Sequence, residues 1–154
     1  MSTIITTNPY TFTVEDNMSI KAVFENAAGT IKSVSKGGAI GTDYGGTFSV
    51  YMKNGSTTIG TASCTYVKGG NITIDSNSLT GKTFQTGYTL YLNGSGMSTN
   101  YYGLGAKVYV YVREGSTSGT IKYTLKVSSK TSTYISFTAE DLGKNYYLVL
   151  VCST

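Results

Sequence analysis

Apolar and polar residues alternate with a period of two over most of this chain, the pattern of half-buried β-strands. In "YTFTV", Tyr10, Phe12 and Val14 share one face, and Thr11 and Thr13 the other. A polar "EDN" turn follows. "MSIKAVF" then sets Met18, Ile20, Ala22 and Phe24 against Ser19, Lys21 and Val23. These two runs predict a hairpin with one apolar face. A two-stranded ribbon is marginal alone in water, so that face needs a partner.

Beyond a short "ENAAG" junction the alternation resumes. "GGTFSVYMK" places Phe48, Val50 and Met52 together, and "NITID" turns Ile72 and Ile74 inward. "YTLYL" aligns Tyr88, Leu90 and Leu92. "KVYVYVRE" separates Val108, Val110 and Val112 from Tyr109 and Tyr111. "TIKYTLKV" separates Ile121, Tyr123, Leu125 and Val127 from Lys122, Thr124 and Lys126. "TIKSVS", "TTIGTASCTYV" and "TYISFT" read as further strands, bounded by turns such as "NGS" and "KGGN". The last strand, "NYYLVLVC", is apolar on both sides, which places it in the interior of a sheet, since a bare edge of that kind invites aggregation. These runs follow one another at the spacing of a sandwich or barrel. The expected helix content is one turn, in "TAEDLGK". "GTDYGG" reads as a hairpin connection, and "NGSGMSTNYYGLG" as the longest irregular loop.

Composition agrees with this. Only 13% of residues are charged, yet 14 tyrosines and many Val, Ile and Thr favour a pleated surface over disorder. The net charge of +4 comes from scattered lysines and one arginine. Nucleic-acid binders cluster their basic residues and read bases with Arg, so no nucleic-acid partner is expected. No segment has the length of a membrane span. "MSTIITTNPY" lacks a basic region and a long apolar stretch, so it does not read as a signal peptide; either export by that route is not used, or a signal was removed. Cys64 and Cys152 read as small buried hydrophobes; spacing does not show whether they pair.

Candidate chemistry is sparse. Without His there is no Ser-His-Asp or Cys-His arrangement. Glu15–Asp16 and Glu140–Asp141 are adjacent acids in turns, where carboxylates most often satisfy backbone donors. No catalytic residue, cofactor or metal ligand is expected, and the chain reads as non-enzymatic. Tyrosine is the one residue class in excess. Tyr109 and Tyr111, opposite the valines, and Tyr101 and Tyr102, in the long loop, are candidate contacts for a ligand or partner. Sandwich interiors and subunit contacts absorb most tyrosines, and that reading carries more weight.

Two stretches resemble known families. "FTAEDLGKNYYLVLV" resembles the end of bacterial immunoglobulin-like domains, with Ala139, Asp141, Gly143 and Lys144 at the corner and Tyr146 or Tyr147 placed to pin it. "NPYTFTVEDNMSIKAVFE", residues 8–25, is similar to the closing hairpin of internalin-type B repeats, whose front half is missing here. The resemblances imply an all-β immunoglobulin-like β-sandwich over residues 27–154, preceded by an N-terminal hairpin or assembly arm over 1–26. Tyr10, Phe12, Ile20 and Phe24 are then the expected assembly interface. Both families belong to exposed proteins. The expected role is a structural virion protein of a bacteriophage, a head-decoration, fibre or tail-associated subunit that self-assembles in the host cytoplasm with other virion subunits. A secreted bacterial adhesin, pilin or surface-layer fragment at the cell surface is the alternative. A glycan-binding module is the third, and a host-surface glycan or protein is a further expected partner.

Overall fold

The computed structural model describes residues 27–154, and the hairpin with Tyr10, Phe12, Ile20 and Phe24 lies outside the described residues. Ten strands follow in chain order: β1 (Gly29–Ala39), β2 (Gly46–Asn54), β3 (Thr57–Val67), β4 (Asn71–Asn77), β5 (Thr83–Phe84), β6 (Thr89–Asn93), β7 (Lys107–Glu114), β8 (Thr120–Val127), β9 (Ser132–Ser136) and β10 (Asn145–Ser153). One short helix, α1 (Thr99–Gly103), precedes β7, and a single 3-10 turn, Ala139–Asp141, precedes β10. The strands form two five-stranded sheets, β5-β1-β10-β7-β8 and β4-β3-β2-β6-β9. Their inner faces share one core, so the described chain is an all-β sandwich.

The alternation explains the packing. Val108, Val110 and Val112 are buried, as are Phe48, Val50 and Met52 across the core, while their neighbours in sequence face outward. β10 runs down the middle of its sheet, as its two-sided apolar character requires. It pairs antiparallel with β7 and parallel with β1. β1 starts at Gly29, over which the Phe84 ring is laid; a Cβ there would sit 2.1 Å from that ring's Cζ.

Three expectations need correction. Ile121 points outward, because a bulge at Val112/Arg113 puts it opposite Arg113 instead of in line with Tyr123. "GTDYGG" is not a hairpin connection: it carries the chain from β1 in one sheet to β2 in the other. The tip of β3–β4 holds it in place, with Tyr66 Oη donating to Ile40 O and Gly69 N to Thr42 O. The long loop is not wholly irregular, since it contains α1, capped by Ser98 Oγ accepting from Tyr101 N at 3.1 Å. By contrast, "NGS" and "KGGN" are turns as expected, and they close the β2–β3 and β3–β4 hairpins, with Gly55, Gly69 and Gly70 at positive φ.

Two substitutions test this packing. Val110→Asp buries an unpaired charge and should cost roughly 4 kcal/mol or more, unfolding the sandwich. Gly29→Ala should cost about 1–3 kcal/mol by displacing Phe84. Thermal melts of the two variants check both, and a wild-type melt for Val110→Asp would mean the faces of β7 are reversed.

Candidate contact surface

Because the inner faces of β2 and β6 are fixed by Phe48, Val50, Met52, Leu90 and Leu92, the residues between them are forced outward. Tyr51 and Tyr91 are such residues, and they are directly paired across β2 and β6. Tyr91 is paired in turn with Tyr134 on β9. Three strands distant in sequence thus set a single row of phenols on the outer face. The Tyr51 and Tyr91 rings stack, with centroids 4.9 Å apart and planes 7° from parallel. Tyr91 and Tyr134 follow at 5.2 Å with a 31° tilt. Lys53 places its Nζ 5.8 Å from the Tyr91 ring centre, within cation–π range.

Stacking hides the faces of the inner rings, so Tyr51 and Tyr91 are half-buried. Tyr134 closes the row on an edge strand and is 58% exposed. Around the row the same face carries hydroxyls and amides. Ser63, Ser49, Asn93 and Ser132 form the neighbouring cross-strand row, and Thr61 extends the tyrosine row on β3. The surface is therefore aromatic and neutral-polar, with one cation beside it.

The tyrosines singled out from sequence are placed differently. Tyr101 is fully buried: its ring packs on Tyr66 at 5.4 Å and its Oη donates to Lys107 O at 2.6 Å. It is a core plug and is not available to a ligand. Tyr102 is partly buried, with its Oη donating to Gly94 O at 2.6 Å. Tyr109 and Tyr111 do lie on the outer face of β7, half-buried and stacked on each other at 5.7 Å, with the Arg113 guanidinium 5.7 Å from the Tyr111 ring. They share that face with Val149 and Val151 of β10, their cross-strand partners. Tyr51, Tyr91 and Tyr134 went unnoticed in the sequence. Their signal was a tyrosine at an outward position in each of three strands, which becomes a row only once the register is known.

The acidic pair Glu140–Asp141 has a structural arrangement. Asp141 is 3% exposed, yet its carboxylate is fully engaged. Tyr146 Oη donates to one oxygen; Tyr123 Oη (2.6 Å) and Thr138 N (2.7 Å) donate to the other. The side chain thus closes back on residue 138, not forward on the chain, and Gly143 completes the corner at φ +77°. Phe84, Phe137 and Tyr146 stack beneath it. Burial, then the hydrogen bond to Asp141, pushes the Tyr123 phenol up to about 12 and raises Tyr146 further. Both therefore remain donors. At the other end of the sandwich, burial raises Tyr101 and pushes Tyr102 up to about 12. Asp43, Asp75 and Glu114 are also engaged, with Lys68, Thr65, and the pair Lys122 and Lys144. Those two lysines, by hydrogen bonding first, hold Glu114 below the usual carboxylate range.

Cys64 and Cys152 are free and buried, as small core hydrophobes. Burial pushes their thiols up to about 12 and about 11, which suppresses the reactive thiolate. Among the described residues no cluster of His, Cys, Asp or Glu is grouped to hold a metal ion, and no helix is long and apolar enough to cross a membrane. No protein-family model matches the chain, and neither a curated protein nor a solved structure matches it significantly.

The raised phenols predict an alkaline limit to stability. A phenol raised in the folded state stabilises fully below its unfolded value near 10, and that contribution is lost as pH rises through the folded value. The melting temperature should therefore hold to about pH 9 and fall between roughly pH 10 and 12. Asp141→Asn keeps one acceptor oxygen and turns the other into an NH2 donor, which then faces either the Tyr146 phenol or the Tyr123 phenol together with Thr138 N. It should cost about 1–3 kcal/mol near neutral pH, measured by denaturant unfolding, and should flatten the alkaline fall. An unchanged midpoint would remove Asp141 from this role.

Proposed function

We propose that this chain is a non-enzymatic structural subunit of a bacteriophage virion, a head-decoration, fibre or tail-associated protein that works by self-assembly and surface display. The observation that carries this reading is the Tyr51–Tyr91–Tyr134 row, running across a face of hydroxyls and amides to a strand that is the sheet edge among the described residues. Tyrosine is enriched in contact surfaces, and it gives large area at low entropic cost. Buried, free thiols suit a protein that folds in a reducing cytoplasm and is displayed afterwards. In this reading residues 1–26 are the assembly arm. Tyr10, Phe12, Ile20 and Phe24 would be buried by adding strands to a neighbouring subunit.

The strand order supports an immunoglobulin-like identity for the sandwich. In that fold strands B and E share one sheet while C and F pair in the other. Here β6 and β9 are neighbours in one sheet, and β7 and β10 in the other, in the same chain order. β1 occupies the place of strand G beside β10, but runs parallel to it. The same surface would serve a secreted bacterial adhesin or pilin. A glycan-binding module is favoured by one observation, the open ring of Tyr134 amid Ser132 and Ser136, on which a sugar would stack.

Removal of residues 1–26 should abolish higher-order assembly, read as particle mass by light scattering, and leave the melting curve of the sandwich in place. Unchanged mass would refute the arm. Retention on a glycan array that disappears in Tyr134→Ala would favour the glycan-binding module instead.

A further inference from the structure

β9 is an edge strand whose hydrogen-bonding direction can be read from its flanks. Phe137 N donates to Tyr88 O and Gly94 N to Thr131 O, both at 2.9 Å. In an antiparallel ladder alternate residues bond to the partner, so Thr131, Thr133, Ile135 and Phe137 face β6. The N–H and C=O groups of Ser132, Tyr134 and Ser136 consequently point away from the sheet. They have no backbone partner among the described residues.

From this we infer that β9 is a self-pairing edge: two copies of the chain join antiparallel through β9 about a two-fold axis at Tyr134. Tyr134 is the middle residue of the five-residue strand, so this register is in phase with the outward groups. Tyr134 N–H of each copy donates to Tyr134 C=O of the other, and Ser132 exchanges the same bonds with Ser136 at both ends. Opposite residues of an antiparallel pair project on one face. The tyrosine row therefore continues through the axis, from Tyr51, Tyr91 and Tyr134 of one copy into the same three of the second.

Charge selects this edge and this direction. The other edge strands of more than two residues carry charges, Lys122 and Lys126 on β8, which symmetric pairing about Thr124 would bring together, and Asp75 on β4. β9 carries none, and the nearest charges flanking it are Lys130 before, whose Nζ also donates to Met97 O at 3.1 Å, and Glu140 after, both on exposed residues. Antiparallel pairing brings the Lys130 end of one strand to the Glu140 end of the other, whereas parallel pairing would oppose like charges. Charges are one of the devices by which proteins block an edge, and β9 has none. This inference goes beyond the proposed role, since it names a contact that does not involve residues 1–26.

A covalent trap tests it in the full chain. Directly opposite residues of a hydrogen-bonded pair lie about 5.5 Å apart at Cα, within the range of a disulfide. Tyr134→Cys should oxidise to a covalent dimer at least about tenfold more completely than Thr58→Cys, an exposed position on β3. The buried native thiols do not compete. Equal yields at the two positions, or no dimer at Tyr134→Cys, would overturn the pairing. Particle mass measured on the same samples reads assembly through the arm separately.

Discussion

The outer surface of this protein depends on the register in which β6 pairs with β2 and with β9. Strand side chains repeat with a period of two, so a slip of one residue would turn Leu90 and Leu92 to water and Tyr91 to the core. Burying a leucine is worth about 1.5–3 kcal/mol, which makes the slip costly at each position. The core thus fixes the register, and the register fixes the tyrosine row. No local preference of residues 51, 91 or 134 assembles it.

Both ends of the sandwich are closed by aromatic side chains whose polar atoms are satisfied. At one end Tyr66 and Tyr101 plug the opening and bond to the Ile40 and Lys107 carbonyls. At the other, Phe84, Phe137, Tyr123 and Tyr146 gather around the Asp141 carboxylate. A buried carboxylate is tolerable only where donors replace its water, and two phenols with a backbone N–H do so here. With the ends closed in this way, the outer faces and the sheet edges are left as the surfaces open to partners.

The strands were legible because alternation is local: β2, β6, β7 and β10 follow directly from it, as does the interior place of β10. What escaped was non-local. Ile121 faces water because a bulge opposite it shifts the phase, and nothing in "TIKYTLKV" announces a bulge. Tyr101 and Tyr102 looked like loop aromatics, but α1 turns Tyr101 into the core, and a five-residue helix leaves little periodic signal. The "GTDYGG" segment crosses between sheets although its glycines suggest a tight turn. Tyr51, Tyr91 and Tyr134 are visible one by one and unconnected until three strands are set side by side.

On the pairing proposed above, the outward edge of β9 is covered by a second copy. Amide hydrogen exchange, followed residue by residue in the full chain at low and high protein concentration, measures this directly. The Ser132, Tyr134 and Ser136 amides, which no described strand covers, should become protected as concentration rises, while Thr133 and Ile135 are protected throughout. Rapid exchange at those three amides at every concentration would contradict it.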